Sequence, residues 1–243
     1  MTKVLLVRHG RTTANTSGIL AGWSPGVELD DTGVAQVKAL ARRLKPVPIT
    51  HLVSSPLTRT MATARIIAKG RGLKVVEDDQ VGELDYGRWT GQRITKLVKD
   101  SLWAAVQAHP SSVTFPRGES MRSAQVRAVA ACREAAQKAT ADSGEAAVVV
   151  IVSHGDIIKA VLADALGMHL DMFQRIIVDP ASLSVVNYTG LRPFVERIND
   201  CGGDVGALIP SQQPTKKVGK ARSHATGSDA VVGGGSGPDR RRR

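Results

Sequence analysis

The chain has 243 residues, of which 42% are hydrophobic and 3% aromatic, and its formal net charge at pH 7 is +11. That length is enough for one domain with a sizeable core. No apolar run approaches the roughly 18 residues that a membrane span needs, and the N-terminal MTKVLLVRHG lacks a signal-peptide pattern, so we expect a cytoplasmic protein with no membrane partner.

The positive charge is concentrated towards the C-terminus. Residues 204–243 hold 8 Lys or Arg and 3 Asp, which leaves 25 basic and 19 acidic residues, or +6, in residues 1–203. This mild excess suits a small anionic substrate, and with so few aromatic rings to stack on bases we expect no nucleic-acid partner. Cys132 and Cys201 are too far apart for a disulfide framework, zinc motif or redox motif.

Apolar runs typical of buried strands alternate with helix-like periodic segments. This pattern predicts an α/β fold with a mostly parallel central sheet and helices on both faces. The expected strands cover residues 2–9, 51–54, 73–77, 146–152, 183–188 and 194–198, the last two as a hairpin or edge addition. The expected helices cover residues 31–44, 57–69 (opened by Pro56), 95–107, 119–139 and 155–166, with an ordered loop over residues 80–91.

The composition changes after Asn199 to Gly, Ser, Pro and cations. Such a segment cannot bury enough apolar surface to offset its ordering entropy. We therefore expect a domain over residues 1–203 and a disordered tail over residues 204–243. The four closing arginines are interpreted as a solvated end rather than as a site for an acidic partner.

Two histidines stand directly after predicted strands. His9 follows Arg8 at the end of the first strand, and His154 follows AVVVIVS and precedes a helix. Ligands of α/β sheets bind beyond the carboxyl ends of the strands, so both histidines can face one phosphate. A neutral imidazole can attack phosphorus, and the helix N-terminus beside His154 favours an anion. These matching positions favour catalysis over a purely structural role, with His9 as nucleophile and His154 stabilising charge.

Phosphoryl transfer depends mainly on positioning and charge neutralisation. The candidate cations are Arg8 and Arg59, although the spacing of Arg59 alone would equally fit a helix surface. An acid must also protonate the leaving alkoxide. Glu83 is our candidate because it lies in the ordered loop beside aromatic residues that should raise its pKa, and Asp85 is its competitor.

Four motifs in this order resemble those of the histidine phosphatase superfamily, which includes the cofactor-dependent phosphoglycerate mutases. They are LVRHGRTTAN, SSPLTRTMATA, ELDYGRWTG and VSHGD, and the resemblance spans about residues 3–190. It implies a phosphoglycerate mutase-like three-layer α/β/α fold without metal or cofactor. It also implies that His9 is phosphorylated, that Glu83 donates the proton, and that phosphate is bound by Arg8, Asn15, Arg59 and His154. Arg11 departs from the pattern, because an acidic residue is common there in relatives.

The short ELDYGRWTG loop is more similar to phosphatases than to mutases. We therefore expect hydrolysis of a small phosphate monoester through a phosphohistidine, with pocket walls from residues 15–23, the Glu83 loop and residues 95–107. The alternatives are a phosphomutase, a catalytic metal held by His9, His154, Glu83 and Asp156, and a non-catalytic phosphometabolite-binding module. No H-x-x-x-H or E-x-x-H spacing favours the metal, and the complete residue set argues against the binding module. The substrate and oligomeric state stay open, although a homodimer would be ordinary.

Overall fold

A computed structural model describes residues 2–203 and Gly233. Its strands are β1 (Thr2–Arg8), β2 (His51–Ser54), β3 (Val75–Glu77), β4 (Val148–Ser153), β5 (Leu183–Tyr188) and β6 (Pro193–Asp200). They form one sheet in the order β3-β2-β4-β1-β5-β6. The first four strands run parallel, whereas β5 and β6 are added antiparallel at one edge, which confirms the mostly parallel sheet.

The α-helices of the described residues are α1 (Thr13–Thr16), α2 (Asp31–Arg43), α3 (Thr58–Ala68), α4 (Ile94–Leu97), α5 (Trp103–Ala108), α6 (Met121–Ser143) and α7 (Gly155–Ala165). Short 3₁₀ helices cover Asp79–Val81, Gly87–Trp89, Pro110–Ser112 and Leu170–Arg175. None of these described helices is long and apolar enough to cross a membrane.

Strand β4 is buried along its whole length because helices cover both faces of the sheet. Val149 and Ile151 belong to the core on one side, which α6 and α7 complete. Val150 and Val152 belong to the core on the other side, with residues of α2 and α3. Successive strand residues point to opposite faces, so an unbroken valine-rich run can supply both cores. This is the three-layer arrangement expected from the sequence.

The carboxyl ends of the parallel strands bring three polar residues close together. In β1 and β4, Arg8 lies opposite Ser153, and the backbone N–H of His9 donates to the Ser153 carbonyl at 3.1 Å. In the same way, the N–H of Ser55 donates to the Val152 carbonyl at 3.0 Å. The chain therefore leaves β1, β2 and β4 at the same end of the sheet, where His9, Ser55 and His154 follow the carboxyl ends of these strands.

The helical segment predicted over residues 95–107 is not continuous. The structure has the short helices α4 and α5 instead, separated at Asp100. One oxygen of Asp100 accepts from the N–H of Leu102 at 2.9 Å, and the other accepts from the Trp89 indole at 3.3 Å. A side chain that bonds to nearby backbone in this way competes with the helical pattern.

Other boundaries differ by a few residues. Pro56 does not open α3, because Leu57 is the extended N-cap and Thr58 is the first helical residue. Helix α6 begins after Ser120, whose hydroxyl accepts from the N–H of Ser123 at 3.0 Å, and not at Glu119. The predicted tail over residues 204–243 lies outside the described residues except for Gly233.

Candidate active site

His9 is buried directly after β1, and its ring orientation is fixed by a backbone group. Its Nδ1 lies 2.7 Å from the carbonyl oxygen of Gly10, which can only accept, so Nδ1 carries the proton. Burial, with help from Arg59 and Arg8, holds the pKa of His9 well below its usual value. The imidazole is therefore neutral, and its Nε2 keeps a lone pair. This is the state that a nucleophilic histidine needs.

Gly10 is required here for close packing. A Cβ at this position would lie 2.6 Å from the Gly33 carbonyl oxygen and 2.8 Å from the Val37 side chain, so α2 leaves no room for one. The N–H of Gly10 donates to the Thr63 hydroxyl at 3.2 Å. The absence of a side chain at Gly10 thus lets α2 pack against the residue after His9.

His154 lies beside His9, with 5.3 Å between the two ring centroids. Its Nε2 is 2.8 Å from the hydroxyl of Ser55, and its Nδ1 accepts from Nη2 of Arg59 at 3.2 Å. Burial, followed by the charge of Arg59, holds the pKa of His154 well below its usual value. His154 is therefore neutral and orients Arg59. Its predicted contact with phosphate stays a prediction.

Both predicted arginines are buried near the carboxyl ends of the parallel strands. Arg59 projects from α3, where its Nη2 donates to the Gly22 carbonyl at 2.9 Å, while its buried Nη1 has no hydrogen-bond partner among the described residues. A buried donor without a partner is costly, so Nη1 is available for an incoming anion. Arg8 donates from Nη1 to the Val178 carbonyl at 2.8 Å. Burial lowers the pKa of Arg8 to about 10, and it stays charged at neutral pH.

Glu83 is the acidic residue that the structure brings to this site. Only 4% of its surface is exposed. Its Oε2 lies 3.9 Å from Nη2 of Arg59 and 3.8 Å from Nδ1 of His154, and its Oε1 accepts from the N–H of Leu84 at 3.0 Å. Burial raises the pKa of Glu83 to about 7, against the opposing effect of Arg59. A carboxyl group with this pKa can donate a proton near neutral pH.

Asp85, the competing acid, lies elsewhere. It is exposed, and its Oδ1 accepts from the N–H of Gly87 at 2.9 Å. It lines a separate cavity with Trp23 and Arg127, whereas Glu83 lines the cavity that contains His9. The geometry therefore favours Glu83 as the acid.

The cavity beside His9 has a volume of about 30 Å³. Asn15, Arg59 and Glu83 of the predicted site also line it, and the remaining lining residues are Thr12, Gly18, Ile19, Leu20, Ala21, Ile94 and Gly233. Within the expected walls, residues 15 and 18–21 and Glu83 of its loop line this cavity, whereas Trp23 lines a separate one. Residues 95–107 do not contribute, since α4 reaches the cavity through Ile94.

Asn15 has a second task at the start of α1. Its Oδ1 accepts from the N–H of Thr12 at 3.0 Å and from the Thr12 hydroxyl at 2.9 Å, which completes a capping box. Only its amide nitrogen can then donate to a ligand. Arg11 is absent from the cavity lining and bonds through Nε to Asp30, the N-cap of α2, at 2.8 Å. In this chain Arg11 fastens the loop after β1 to α2.

A second buried polar group adjoins the site around Asp156. Its Oδ2 accepts from the Tyr86 hydroxyl at 2.9 Å and from the N–H of Gly233 at 2.9 Å. Burial, followed by Asp156, holds the pKa of Tyr86 well above its usual value, so the hydroxyl keeps its proton. The carbonyl of Gly233 accepts from Nη2 of Arg8 at 3.3 Å. Gly233 thus contacts Arg8, one of the two arginines predicted to bind phosphate.

The sequence did not indicate the supporting contacts of three residues. Ser55 contacts His154, Trp23 donates through its indole to the Glu83 carbonyl at 2.6 Å, and Arg127 bonds to the loop that carries Glu83. The position of Ser55 could have indicated its role, since it follows β2 at the carboxyl ends of the strands, where both histidines lie. Trp23 and Arg127 have no such indication, because only the tertiary fold brings them to Glu83.

Taken together, the site holds a neutral buried imidazole with an available lone pair, two arginines and a carboxyl group that titrates near neutral pH. These groups can take a phosphoryl group onto nitrogen and protonate a leaving oxygen. In the part of the chain that the structure describes, no group of three or more His, Cys, Asp or Glu side chains could hold a metal ion.

Comparison with known proteins identifies relatives for almost the whole described region. The family described as "Histidine phosphatase superfamily (branch 1)" matches residues 4–201. Phosphoserine phosphatase 1 of Hydrogenobacter thermophilus is 30% identical over 204 residues, covering 82% of this chain and 92% of that protein. The probable phosphoglycerate mutase GpmB of Yersinia pestis is 32% identical over 190 residues, covering 77% and 86%.

Solved structures agree with this fold. Bacillus stearothermophilus YhfR superposes with a TM-score of 0.74 at 25% identity, covering 82% of this chain and 98% of that one. A mycobacterial glucosyl-3-phosphoglycerate phosphatase, solved as a complex with VO3, superposes with a TM-score of 0.72 at 25% identity, again covering 82% and 98%. The three-layer architecture is thus shared along nearly the full length of these proteins.

Proposed function

The chain belongs to the histidine phosphatase superfamily (branch 1), and we propose that it is a phosphatase that hydrolyses a small phosphate monoester through a phosphohistidine. The observation that carries this proposal is the pairing of His9 with Arg59 in one cavity. His9 has its proton on Nδ1, and Arg59 has a buried Nη1 with no partner among the described residues. A phosphoryl group between them would receive a nucleophile and a charged donor together.

In the first step, Nε2 of His9 attacks phosphorus, and a P–N bond forms as the ester P–O bond breaks. The leaving oxygen takes the proton of Glu83, so an alcohol departs and Glu83 becomes a carboxylate. Arg59 neutralises the charge on the phosphoryl oxygens. The raised pKa of Glu83, about 7, matches this role, because the group is partly protonated at neutral pH and readily loses the proton.

In the second step, water replaces the alcohol. Its oxygen forms a P–O bond as the P–N bond breaks, and the Glu83 carboxylate takes the water proton. Inorganic phosphate leaves, while His9 regains its lone pair on Nε2 and Glu83 regains its proton. Atoms and charge balance over the cycle without a metal or cofactor.

Phosphomutase activity is the second candidate, favoured by the 32% identity to a probable phosphoglycerate mutase. The chemistry differs only in the acceptor, which would be a hydroxyl of the bound product instead of water. Retaining a product beside the phosphohistidine requires a segment that closes over it. The chain after Glu83 offers only the single 3₁₀ turn Gly87–Trp89 and the four-residue α4 before Asp100, which favours water.

The proposal is tested by measuring phosphate release from a panel of phosphate monoesters in the presence of a chelator. The names of the relatives supply phosphoserine for this panel, and 3-phosphoglycerate with a trace of its bisphosphate tests the mutase alternative. We expect phosphate release with little isomerisation. Formation of 2-phosphoglycerate much faster than phosphate would replace the phosphatase by a mutase, and loss of all activity in the chelator would favour the metal alternative.

A further inference from the structure

Arg127 of α6 binds the backbone of the segment that carries Glu83. Its Nη1 donates to the carbonyl of Gln80 at 2.6 Å and to that of Gly82 at 3.0 Å. Its Nη2 donates to the carbonyl of Glu83 itself at 3.0 Å. Nη1 also donates to the Asp79 carbonyl at 3.5 Å, so one planar guanidinium holds four backbone oxygens within five residues of chain. Lysine cannot reproduce this pattern, since its charge sits on a single nitrogen.

Glu119 fixes Arg127 and extends the contact to the other side of Glu83. Its Oε2 accepts from Nε of Arg127 at 3.0 Å and its Oε1 from Nη2 at 2.6 Å, which is a bidentate pair. The same Oε1 accepts from the backbone N–H of Asp85 at 2.9 Å. Backbone groups before and after Glu83 are therefore tied to one ion pair.

Two further side chains hold the same segment. The Trp23 indole donates to the Glu83 carbonyl at 2.6 Å, and the Ser153 hydroxyl donates to the Val81 carbonyl at 2.7 Å. The carboxyl group of Glu83 is itself bonded to the next backbone N–H, that of Leu84. Its position relative to His9 is thus set by the backbone, and that backbone is held from outside.

We propose that Arg127, oriented by Glu119, is a positioning residue that places the Glu83 carboxyl group for proton transfer. This inference rests on the proposed function, in which Glu83 is the acid. Proton donors must lie within hydrogen-bond reach of the leaving oxygen, and a displacement of about 1 Å can cost about 100-fold in rate. A loop segment with short 3₁₀ turns does not hold such precision by itself, and the guanidinium supplies it.

Arg127 is not a catalytic residue. It lines a separate cavity of about 320 Å³ together with Trp23, Asp79, Asp85 and Glu119, and it does not line the cavity that contains His9. Its charge is paired with Glu119 instead of facing the phosphate site. Its charge contributes to the low pKa of His154, but its hydrogen bonds towards the site are made to the Glu83 backbone.

The experiment compares Arg127→Lys and Arg127→Met with Arg133→Ala. Arg133 lies on the same helix and forms an exposed ion pair with Asp164, so it is a matched control for loss of an arginine from α6. Each variant is assayed with an alkyl phosphate and with activated aryl phosphates whose leaving groups depart without a proton. Activity towards the aryl phosphates also verifies that a variant is folded.

We expect both Arg127 variants to lose about 10- to 100-fold in kcat for the alkyl phosphate and less than about threefold for the most activated aryl phosphate. Arg133→Ala should retain the wild-type rates. Glu119→Gln, which keeps the shape but loses the ionic bond, should give an intermediate loss with the same leaving-group dependence. Unchanged alkyl phosphate turnover in Arg127→Met, or an equal loss on all substrates, would overturn the positioning role.

Glu83→Gln in the same assay separates this inference from the proposed function. If Glu83→Gln shows the leaving-group dependence and Arg127→Met does not, Glu83 is the acid and Arg127 does not position it. If Glu83→Gln itself loses equally on all substrates, the assignment of Glu83 as acid fails.

Discussion

The Nδ1 atom of His9 lies 2.7 Å from the carbonyl oxygen of Gly10. Because this contact holds the proton on Nδ1, only Nε2 can attack phosphorus. We predict that the intermediate trapped by quenching in base carries phosphate on Nε2 of His9, which ³¹P NMR and peptide mapping can establish. The adduct should be labile in acid, as phosphoramidates are, and His9→Ala should abolish both adduct and turnover. Phosphate on Nδ1 would mean that the imidazole ring flips before it reacts.

Glu83→Gln should slow substrates according to their leaving groups. Glutamine keeps the approximate shape of the side chain but cannot donate an acidic proton, so alkyl phosphates should suffer far more than aryl phosphates. The measurement is kcat/KM against leaving-group pKa, with Asp85→Asn as control. Asp85 is exposed and lies in another cavity, so its variant should keep the wild-type slope. The opposite result, a changed slope only in Asp85→Asn, would exchange the two roles.

The pH dependence of activity should report the same group. Burial raises the pKa of Glu83 to about 7, and the reaction with an alkyl phosphate needs its protonated form. We therefore predict that kcat/KM for alkyl phosphates falls as the pH rises through about 7. In Glu83→Gln, kcat/KM should be lower than in the wild-type protein and should not show this fall. His9 should not limit activity near neutral pH, since its pKa lies well below its usual value. If Glu83→Gln keeps the same fall in kcat/KM, the titrating group is not Glu83.

Stability should depend on pH through Glu83 as well. The pKa of Glu83 is about 7 in the folded protein against an ordinary value of 4.5, so the folded state binds the proton more tightly. Its contribution to the free energy of unfolding is therefore complete below pH 4.5 and is lost as the pH rises to about 7. Relative to Glu83→Gln, the wild-type protein should lose roughly 3 kcal/mol over this window, measured by urea unfolding. Parallel stability curves would show that Glu83 is not buried as described.

Much of the fold could be predicted because the strands carry strong local signals. The valine-rich run of β4 and the apolar strand that ends at Arg8 identify the centre of the sheet. His9 and His154 could be predicted as site residues because they directly follow the carboxyl ends of those strands. Arg59 required more, since its spacing alone fits an exposed helix face, and the family motifs decided in its favour. The break at Asp100 was missed because apolar periodicity continues across it, while the side chain of Asp100 turns the chain.

The support around Glu83 could not be predicted for a different reason. Arg127 and Glu119 act on backbone carbonyl and N–H groups of a distant loop, and backbone groups leave no trace in a sequence. Trp23 similarly bonds to the Glu83 carbonyl across 60 residues. Residues that touch the reacting atoms are restricted in type by their chemistry, whereas residues that hold them in place are restricted by the fold.

Gly233 joins two buried groups of the site, because its carbonyl accepts from Nη2 of Arg8 and its N–H donates to Asp156. Arg8 is a predicted phosphate ligand and Gly233 lines the cavity beside His9, so we expect Gly233 to compete with phosphate for the Arg8 guanidinium. A chain that ends at Gly203 should therefore bind substrate more tightly, with KM lowered about fivefold for the loss of one competing hydrogen bond, and with kcat unchanged. Its melting temperature should change little, since the composition of residues 204–243 provides little apolar surface to bury.

Gly233→Pro tests the same contact with the chain length preserved. Proline has no N–H to donate to Asp156 and cannot adopt the φ of 75° found at Gly233, so this variant should reproduce the lower KM of the shortened chain. Steady-state kinetics on one alkyl phosphate, with thermal unfolding of all three proteins, completes the comparison. A higher KM in both variants would mean that Gly233 helps to bind substrate instead of competing with it. A large drop in melting temperature for the shortened chain would mean that residues 204–243 support the domain.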